Sequence, residues 1–170
     1  MKILIAIPVL FLTLSNLNAQ QDNCKCCTEQ HDDFDFWEGK WEVTNKKGEL
    51  AGYSTIEKIQ DKCVIKENWN SAKGNYSGMS TNFYNSKLEQ WEQLWLDNQG
   101  GSLHLKGNRT ANKMILQTDE VTNKEGKPFV HRITWTKNEN GTVRQLWEMI
   151  TDEKNIQVAF DGLYTKVTAE

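Results

Sequence analysis

The segment HRITWTKNENGTVRQLWEMI, residues 131–150, contains two runs of alternating side chains with a polar turn between them. Each run mixes β-branched and aromatic residues with polar ones, which is typical of a strand with two different faces. Asn140-Gly141 separates the runs, and this dipeptide is a strong signal for a tight turn between antiparallel strands. The segment therefore predicts a β-hairpin.

The same pattern continues along most of the chain. Short alternating segments follow one another, separated by clusters of Asn, Gly, Ser and Lys that are typical of turns. The candidate strands are 39–45, 51–59, 62–70, 77–85, 90–97, 102–107, 113–121, 129–137, 142–150 and 156–167. Closing such a meander removes the unpaired edges that would recruit other chains. We therefore predict an all-β fold, a single antiparallel up-and-down β-barrel of about eight to ten strands.

The hairpin also predicts which side chains share a surface. A loop of two or four residues would pair residues of opposite parity, so Arg132 and Thr134 would lie beside Gln145 and Trp147. An aromatic wall with a few polar groups is the usual lining of a ligand cavity, so we expect this surface to face inward. Arg132 would then be the charge partner of the ligand. The expected ligand-binding residues are Trp69, Trp91, Gln93, Trp95, Arg132, Thr134, Gln145 and Trp147.

An alternative is that the tryptophans simply fill the interior of the barrel. Arg132 would then pair with a nearby acid, and Gln93 would bond to Gln145. A buried arginine without a partner is costly. Either a carboxylate such as Glu67 or an anionic ligand must therefore lie near Arg132 if it points inward.

The composition excludes several classes of protein. The 170 residues include 20 basic and 23 acidic side chains, with a formal net charge of −3. The basic residues are scattered among acids, which argues against a nucleic-acid partner because binding to phosphates needs clustered Lys and Arg. Hydrophobic residues at 38% and charged residues at 25% exclude a disordered tail and a membrane bundle.

The N-terminal residues predict export. Residues 1–19 have a basic start, an apolar stretch and a polar exit ending in Ala19, as in a cleaved signal peptide. No second apolar segment follows, so no integral membrane segment is expected after cleavage. We predict a flexible, cysteine-rich segment at 20–33, a barrel domain at 34–170, and a periplasmic or secreted location.

Export changes the interpretation of the four cysteines. Cys24, Cys26 and Cys27 lie near the predicted new N-terminus, and Cys63 lies alone further along the chain. In an oxidising compartment we expect Cys63 to pair with one of the other three, which would contribute roughly 3–4 kcal/mol of stability. The spacing does not select the partner. The alternative is a Cu(I) or Zn(II) site at the Cys24–Cys27 cluster.

Several motifs resemble a known group of proteins. Phe34 to Val43 reads FDFWEGKWEV, and Gly39-Lys40-Trp41 resembles the Gly-x-Trp signature of lipocalins in the calycin superfamily. With the later segments DKCVI (61–65), RITW (132–135), VRQLWE (143–148) and FDGLY (160–164), the chain is similar to an uncharacterised family of exported bacterial proteins with a lipocalin-like barrel. The similarity spans Phe34 to Lys166. It implies the fold and says little about chemistry.

The lipocalin resemblance also implies structural roles near the start of the barrel. Trp41 would pack over the closed end against a basic residue from a late strand, either Arg144 or Lys166. Trp37 would also be structural, and Gly39 would let the chain turn into the barrel.

Three functions are compatible with these observations. The leading hypothesis is an exported binder that holds an amphipathic or anionic small molecule in an aromatic, arginine-containing cavity. The second is an isomerase or hydrolase that uses Glu67 beside Trp69, although parity places Glu148, a possible acid–base partner, on the aliphatic surface. The third is thiol or metal handling through Cys24–Cys27. No phosphate loop, dinucleotide fingerprint or serine-hydrolase motif occurs in the sequence, so no cofactor is predicted, and the oligomeric state is left open.

Overall fold

The computed structural model describes residues 24–167 of the chain. The leader predicted at 1–19 lies outside the described residues, as do residues 20–23 and 168–170. One short helix, α1 (Glu29–Asp32), and one 3₁₀ turn (Asp35–Trp37) precede the strands. The strands are β1 (Gly39–Asn45), β2 (Leu50–Ile59), β3 (Val64–Ser71), β4 (Ser77–Asn85), β5 (Gln90–Asp97), β6 (Ser102–Thr110), β7 (Lys113–Gln117), β8 (Val121–Thr122), β9 (Pro128–Lys137), β10 (Val143–Asp152) and β11 (Asn155–Lys166).

Ten of these strands form one closed antiparallel barrel. Sequential neighbours pair from β1 to β7, β7 pairs with β9, and β11 pairs with both β10 and β1. Pairing between β9 and β10 closes the ring, while β8 pairs with the start of β9 outside the barrel. The predicted all-β barrel is therefore confirmed, and its architecture is compatible with a calycin-like fold.

Several strand boundaries differ from the predicted ones by one to four residues. The strand predicted at 62–70 begins at Val64, since Gln60, Asp61 and Lys62 have positive φ angles and form the preceding turn. The strand predicted at 113–121 ends at Gln117. Val121 then starts the separate short strand β8.

Residues 24–37 form a cap over one end of the barrel, which we call the closed end. The side chain of Thr28 accepts a hydrogen bond from the backbone N–H of His31 and caps α1. Lys58, on β2, extends its ammonium group to Asp32 and Asp35 at distances of 2.8 and 2.6 Å. These contacts hold Asp32, within the segment predicted at 20–33, and Asp35 against β2.

Aromatic rings fill the closed end. Phe34 stacks on Trp37 and contacts Trp135 edge-on, and all three side chains have no measurable exposure. The indole N–H of Trp41 donates to the backbone carbonyl of Trp37 at 2.9 Å. This packing fills the closed end of the barrel with side chains, so any ligand site lies toward the opposite end.

Trp41 also contacts a basic side chain from the last strand. The ammonium nitrogen of Lys166 lies 5.3 Å from the centre of the Trp41 ring, within the range of a cation–π interaction. Lys166 is one of the two partners that the lipocalin resemblance implied. Gly39, two residues before Trp41, has a φ of 139°, a conformation that favours glycine where β1 begins.

All four cysteines form disulfides. Cys26 is bonded to Cys63, and Cys24 is bonded to Cys27. The predicted bridge from the N-terminal cluster to Cys63 is confirmed, and the structure identifies Cys26 as the partner. Two disulfides fit an oxidising compartment. Within residues 24–167, no helix has the length and apolar character needed to cross a membrane.

Candidate ligand-binding cavity

A cavity of about 310 Å³ occupies the end of the barrel opposite the cap. Its volume lies at the lower end of the range of small-molecule pockets. Ser71 and Tyr76 are partly exposed at its rim, and Ala159 is exposed, so the cavity reaches solvent. The lining residues are Ala51, Glu67, Trp69, Ser71, Tyr76, Gln93, Trp95, Leu103, Ile133, Gln145, Trp147, Ala159, Phe160 and Tyr164.

Glycines explain why aromatic side chains line this space without filling it. A Cβ atom on Gly78 would lie 2.3 Å from the Trp95 ring, and one on Gly52 would lie 2.7 Å from the Trp69 ring. Because these glycines have no side chain, each indole occupies the place that a Cβ atom would take beside the glycine backbone. The centre of the open end is therefore left empty.

The structure brings together five of the eight predicted ligand-binding residues. They come from three separate parts of the barrel, namely β3, β5 and β10. All five lie on inward faces of these strands and line the cavity. They are Trp69, Gln93, Trp95, Gln145 and Trp147.

Two of the other predicted residues, Arg132 and Thr134, lie on the outer face of the barrel. The β9–β10 loop spans 138–142, so Val143 pairs with Lys137 and cross-strand partners have the same parity. The predicted shared face is wrong because this loop has an odd number of residues. Arg132 instead forms an ion pair with Glu148 at 3.0 Å, with about a third of its side chain exposed.

Trp91 points inward but does not line the cavity. Its ring lies edge-on against Phe34 in the closed end, and its indole N–H donates to the backbone carbonyl of Gln30 at 3.0 Å. Alternation along β5 places Trp91, Gln93 and Trp95 on one face, but it does not distinguish the two ends of the barrel. Trp91 is therefore not at the cavity, where it was predicted, but packs against the cap.

The structure adds Tyr76, Phe160 and Tyr164 to the cavity, which the sequence reasoning did not select. Phe160 and Tyr164 lie on the same face of β11, and the Phe160 ring stands edge-on to Trp69. Alternation in the segment FDGLY could have identified this face. Tyr76 lies just before β4, where no strand pattern applies.

Glu67 lies at the centre of a polar network in the barrel. Only 3% of this residue is exposed. The hydroxyl of Ser54 donates to its Oε1 at 2.9 Å, and the hydroxyl of Ser80 donates to its Oε2 at 3.1 Å. These donors come from β2 and β4, the two neighbours of β3, so the carboxyl group is held from both sides.

The hydrogen bonds of Asn82 and Gln93 determine which way the Ser80 hydroxyl donates. Asn82 donates from Nδ2 to the carbonyl of Ile65 at 2.9 Å, which identifies that atom as the nitrogen. The same Nδ2 donates to Ser80 Oγ, so the hydroxyl proton of Ser80 is left to point at Glu67. Gln93 donates to Asn82 Oδ1 at 2.6 Å. The chain of donors therefore ends on Glu67 as its acceptor.

Burial dominates the electrostatics of the site. Desolvation raises the pKa of Glu67 to about 7, and the hydrogen bonds from Ser54 and Ser80 oppose this only in part. Burial also raises the pKa of Tyr164 and of Tyr76, so both phenols are neutral near pH 7. None of the described lining residues is Lys, Arg or His. The cavity therefore contains a carboxyl group without a described cationic partner.

The disulfides and acidic residues do not present a metal site in the described part of the chain. Cys24, Cys26, Cys27 and Cys63 are all in disulfides, so their sulfur atoms are not thiolates. Over residues 24–167, no three His, Cys, Asp or Glu side chains are grouped closely enough to hold a metal ion.

Comparison of this chain with protein-family models finds no matching family, and a search of curated proteins finds no match.

Proposed function

We propose that this protein binds a small, largely apolar molecule in the open end of its barrel. The observation that carries the proposal is the cavity of about 310 Å³, lined by Trp69, Trp95, Trp147 and Phe160, in a barrel whose other end is plugged. Indole and phenyl rings supply contact area, and a few polar groups orient a ligand. The glycines beneath the rings keep this volume open in the folded protein.

The charge of the lining changes the expected ligand. The sequence predicted an anionic or amphipathic molecule paired with Arg132, but this guanidinium lies on the outer face with Glu148. The carboxyl group that lines the cavity is that of Glu67. An anion would be placed near a buried carboxyl group without a described cation, so the proposed ligand is not anionic.

Binding is favoured over catalysis because the second carboxyl group considered for acid–base chemistry is outside the barrel. Glu148 pairs with Arg132 on the outer face, so it does not meet Glu67 in the cavity. We further propose that the protein is exported to a periplasmic or secreted location and belongs to the lipocalin-like family that its motifs resemble. The two disulfides and the ten-stranded barrel support this.

A neutral fluorescent probe tests the proposed binding. We expect N-phenyl-1-naphthylamine to gain fluorescence on titration with the disulfide-bonded protein, since its rings would enter an apolar site. Leu103 lines the cavity and is the cross-strand neighbour of Trp95, so a larger side chain at this position should block the cavity. We expect Leu103→Trp to weaken probe binding by about tenfold or more, because the added ring occupies the volume of the ligand.

Two variants control for effects outside the cavity. Ser102→Trp adds the same indole to the adjacent, exposed position of β6, and Arg132→Ala removes the cation originally expected to bind the ligand. Both should leave probe affinity within about twofold of the unmodified protein, because both side chains lie on the outer face of the barrel and do not line the cavity. The proposal is wrong if the native protein does not bind the probe, or if Leu103→Trp and Ser102→Trp weaken binding equally.

A further inference from the structure

Glu67 is the feature of the cavity that binding of a purely apolar molecule leaves unexplained. Burying a carboxyl group without an opposite charge is costly, so its presence in an aromatic cavity calls for an explanation. Each of its oxygens receives one serine hydroxyl. An ionised carboxylate has about four acceptor positions, so both oxygens keep capacity for a further donor.

The groups that face Glu67 orient it as an acceptor. Ser54 on β2 and Ser80 on β4 donate to it, and the chain from Gln93 through Asn82 determines the direction of the Ser80 proton. These donors stabilise the ionised carboxylate and so oppose, in part, the burial that raises the pKa of Glu67.

No described positive charge balances this carboxylate from the surrounding strands. The titratable groups that face it are the phenols of Tyr164 on β11 and Tyr76 before β4. The Tyr76 hydroxyl donates to Asp97 on β5 at 3.2 Å, so the charged partner of this phenol is another acid and not a cation. A cation brought by a ligand would supply the missing charge.

The walls of the cavity favour the same charge. Trp69, Trp95 and Trp147 present indole rings to the space beside Glu67, together with the ring of Phe160. The face of an aromatic ring attracts cations and repels anions, and indole does so most strongly. A carboxylate surrounded by aromatic rings is the combination that recognises an ammonium group on an apolar body.

We propose that Glu67 makes the cavity selective for small molecules with a protonated amine, which donates to the carboxylate while its apolar part lies among the indole rings. This inference rests on the proposed function and names the class of ligand. Two other pairings of ligand and carboxyl group are possible. A neutral alcohol could bind to the protonated acid, and an anion could bind without contacting Glu67.

Three naphthalene compounds distinguish these pairings by displacement of N-phenyl-1-naphthylamine. They are 1-naphthylmethylamine, 1-naphthalenemethanol and 1-naphthoate, which share a ring system and differ in charge. At about pH 8 we expect the amine to bind about tenfold or more tighter than the alcohol, and the naphthoate to bind weakest. Amine affinity should rise from about pH 6 to pH 8 as Glu67 ionises, while alcohol affinity should not rise.

Two carboxyl variants test whether Glu67 causes the selectivity for amines. Glu67→Gln should bring amine affinity down to that of the alcohol and change alcohol affinity by less than about twofold, because the amide is uncharged. Glu92→Gln alters a buried carboxyl group that is bonded to His104 outside the cavity, and it should leave the selectivity unchanged.

The outcomes separate this inference from the proposed function. If the alcohol displaces the probe as well as the amine does at about pH 8, the cavity binds ligands but Glu67 does not select amines. If Glu67→Gln weakens amine and alcohol equally, the carboxyl group maintains the shape of the cavity and the inference is wrong. If neither N-phenyl-1-naphthylamine nor any of the three compounds binds, the proposed function itself fails.

Discussion

Replacing Cys26 and Cys63 together with serine is expected to lower the free energy of unfolding by about 4 kcal/mol in the chain-entropy model. The bond joins the cap to the turn between β2 and β3 and closes a loop with a sequence separation of 37. Without it the unfolded chain regains many conformations that the native disulfide excludes. Denaturant unfolding of the double variant, followed by tryptophan fluorescence, measures the loss.

The second disulfide is a matched control in the same segment. Cys24 and Cys27 are separated by only three positions, so replacing both with serine should cost about 2 kcal/mol in the same model. Equal losses for the two double variants would contradict the role assigned to loop length. A negligible loss for the Cys26 and Cys63 pair would show that packing of Phe34 and Trp37 alone holds the cap.

Glu67→Gln is expected to stabilise the protein at about pH 8, by roughly 3 kcal/mol, which is the free energy of a pKa difference between about 7 and 4.5. Burial raises the pKa of Glu67, so the folded state holds its proton more tightly than the unfolded state does. This contribution to stability is complete below about pH 4.5 and is lost as the pH rises towards 7. Glutamine cannot ionise and does not incur this loss.

The pH dependence is the control for this prediction. The difference in unfolding free energy between Glu67→Gln and the unmodified protein should be small near pH 4.5 and should reach its full size by about pH 8. A difference that does not change with pH would reflect altered hydrogen bonds to Ser54 and Ser80. A variant that is less stable at pH 8 would contradict the account. Greater stability together with lower amine affinity would identify Glu67 as a residue kept for function.

Much of the barrel can be predicted from the sequence, because each strand has a recognisable local pattern. Alternating side chains and the turn residues between them predict all ten strands of the barrel, with small differences at their ends. Closure also follows from the sequence, since an open meander would leave exposed edges. The cap is harder to predict, because its docking depends on distant partners such as Lys58 and Cys63.

The sequence predicts the site less completely than the fold. Which side chains line the cavity depends on the length of one loop and on the position of each residue along the barrel axis. One additional residue in the β9–β10 loop places Arg132 outside and Trp135 inside. The position of a residue along the barrel axis separates Trp91 at the cap from Trp95 at the cavity, and alternation carries no information about it. Glu67 was identified as a candidate by its residue type, but its serine donors come from neighbouring strands.

The tryptophan indole N–H signals in a ¹H–¹⁵N NMR spectrum test the central claim most directly. The chain has seven tryptophans. The structure places Trp69, Trp95 and Trp147 at the cavity, and the others in the plugged core, namely Trp37, Trp41, Trp91 and Trp135. On titration with 1-naphthylmethylamine, the three cavity signals should shift and the other four should stay in place. Shifts confined to the core signals, or none at all, would contradict a ligand site in the open end of the barrel.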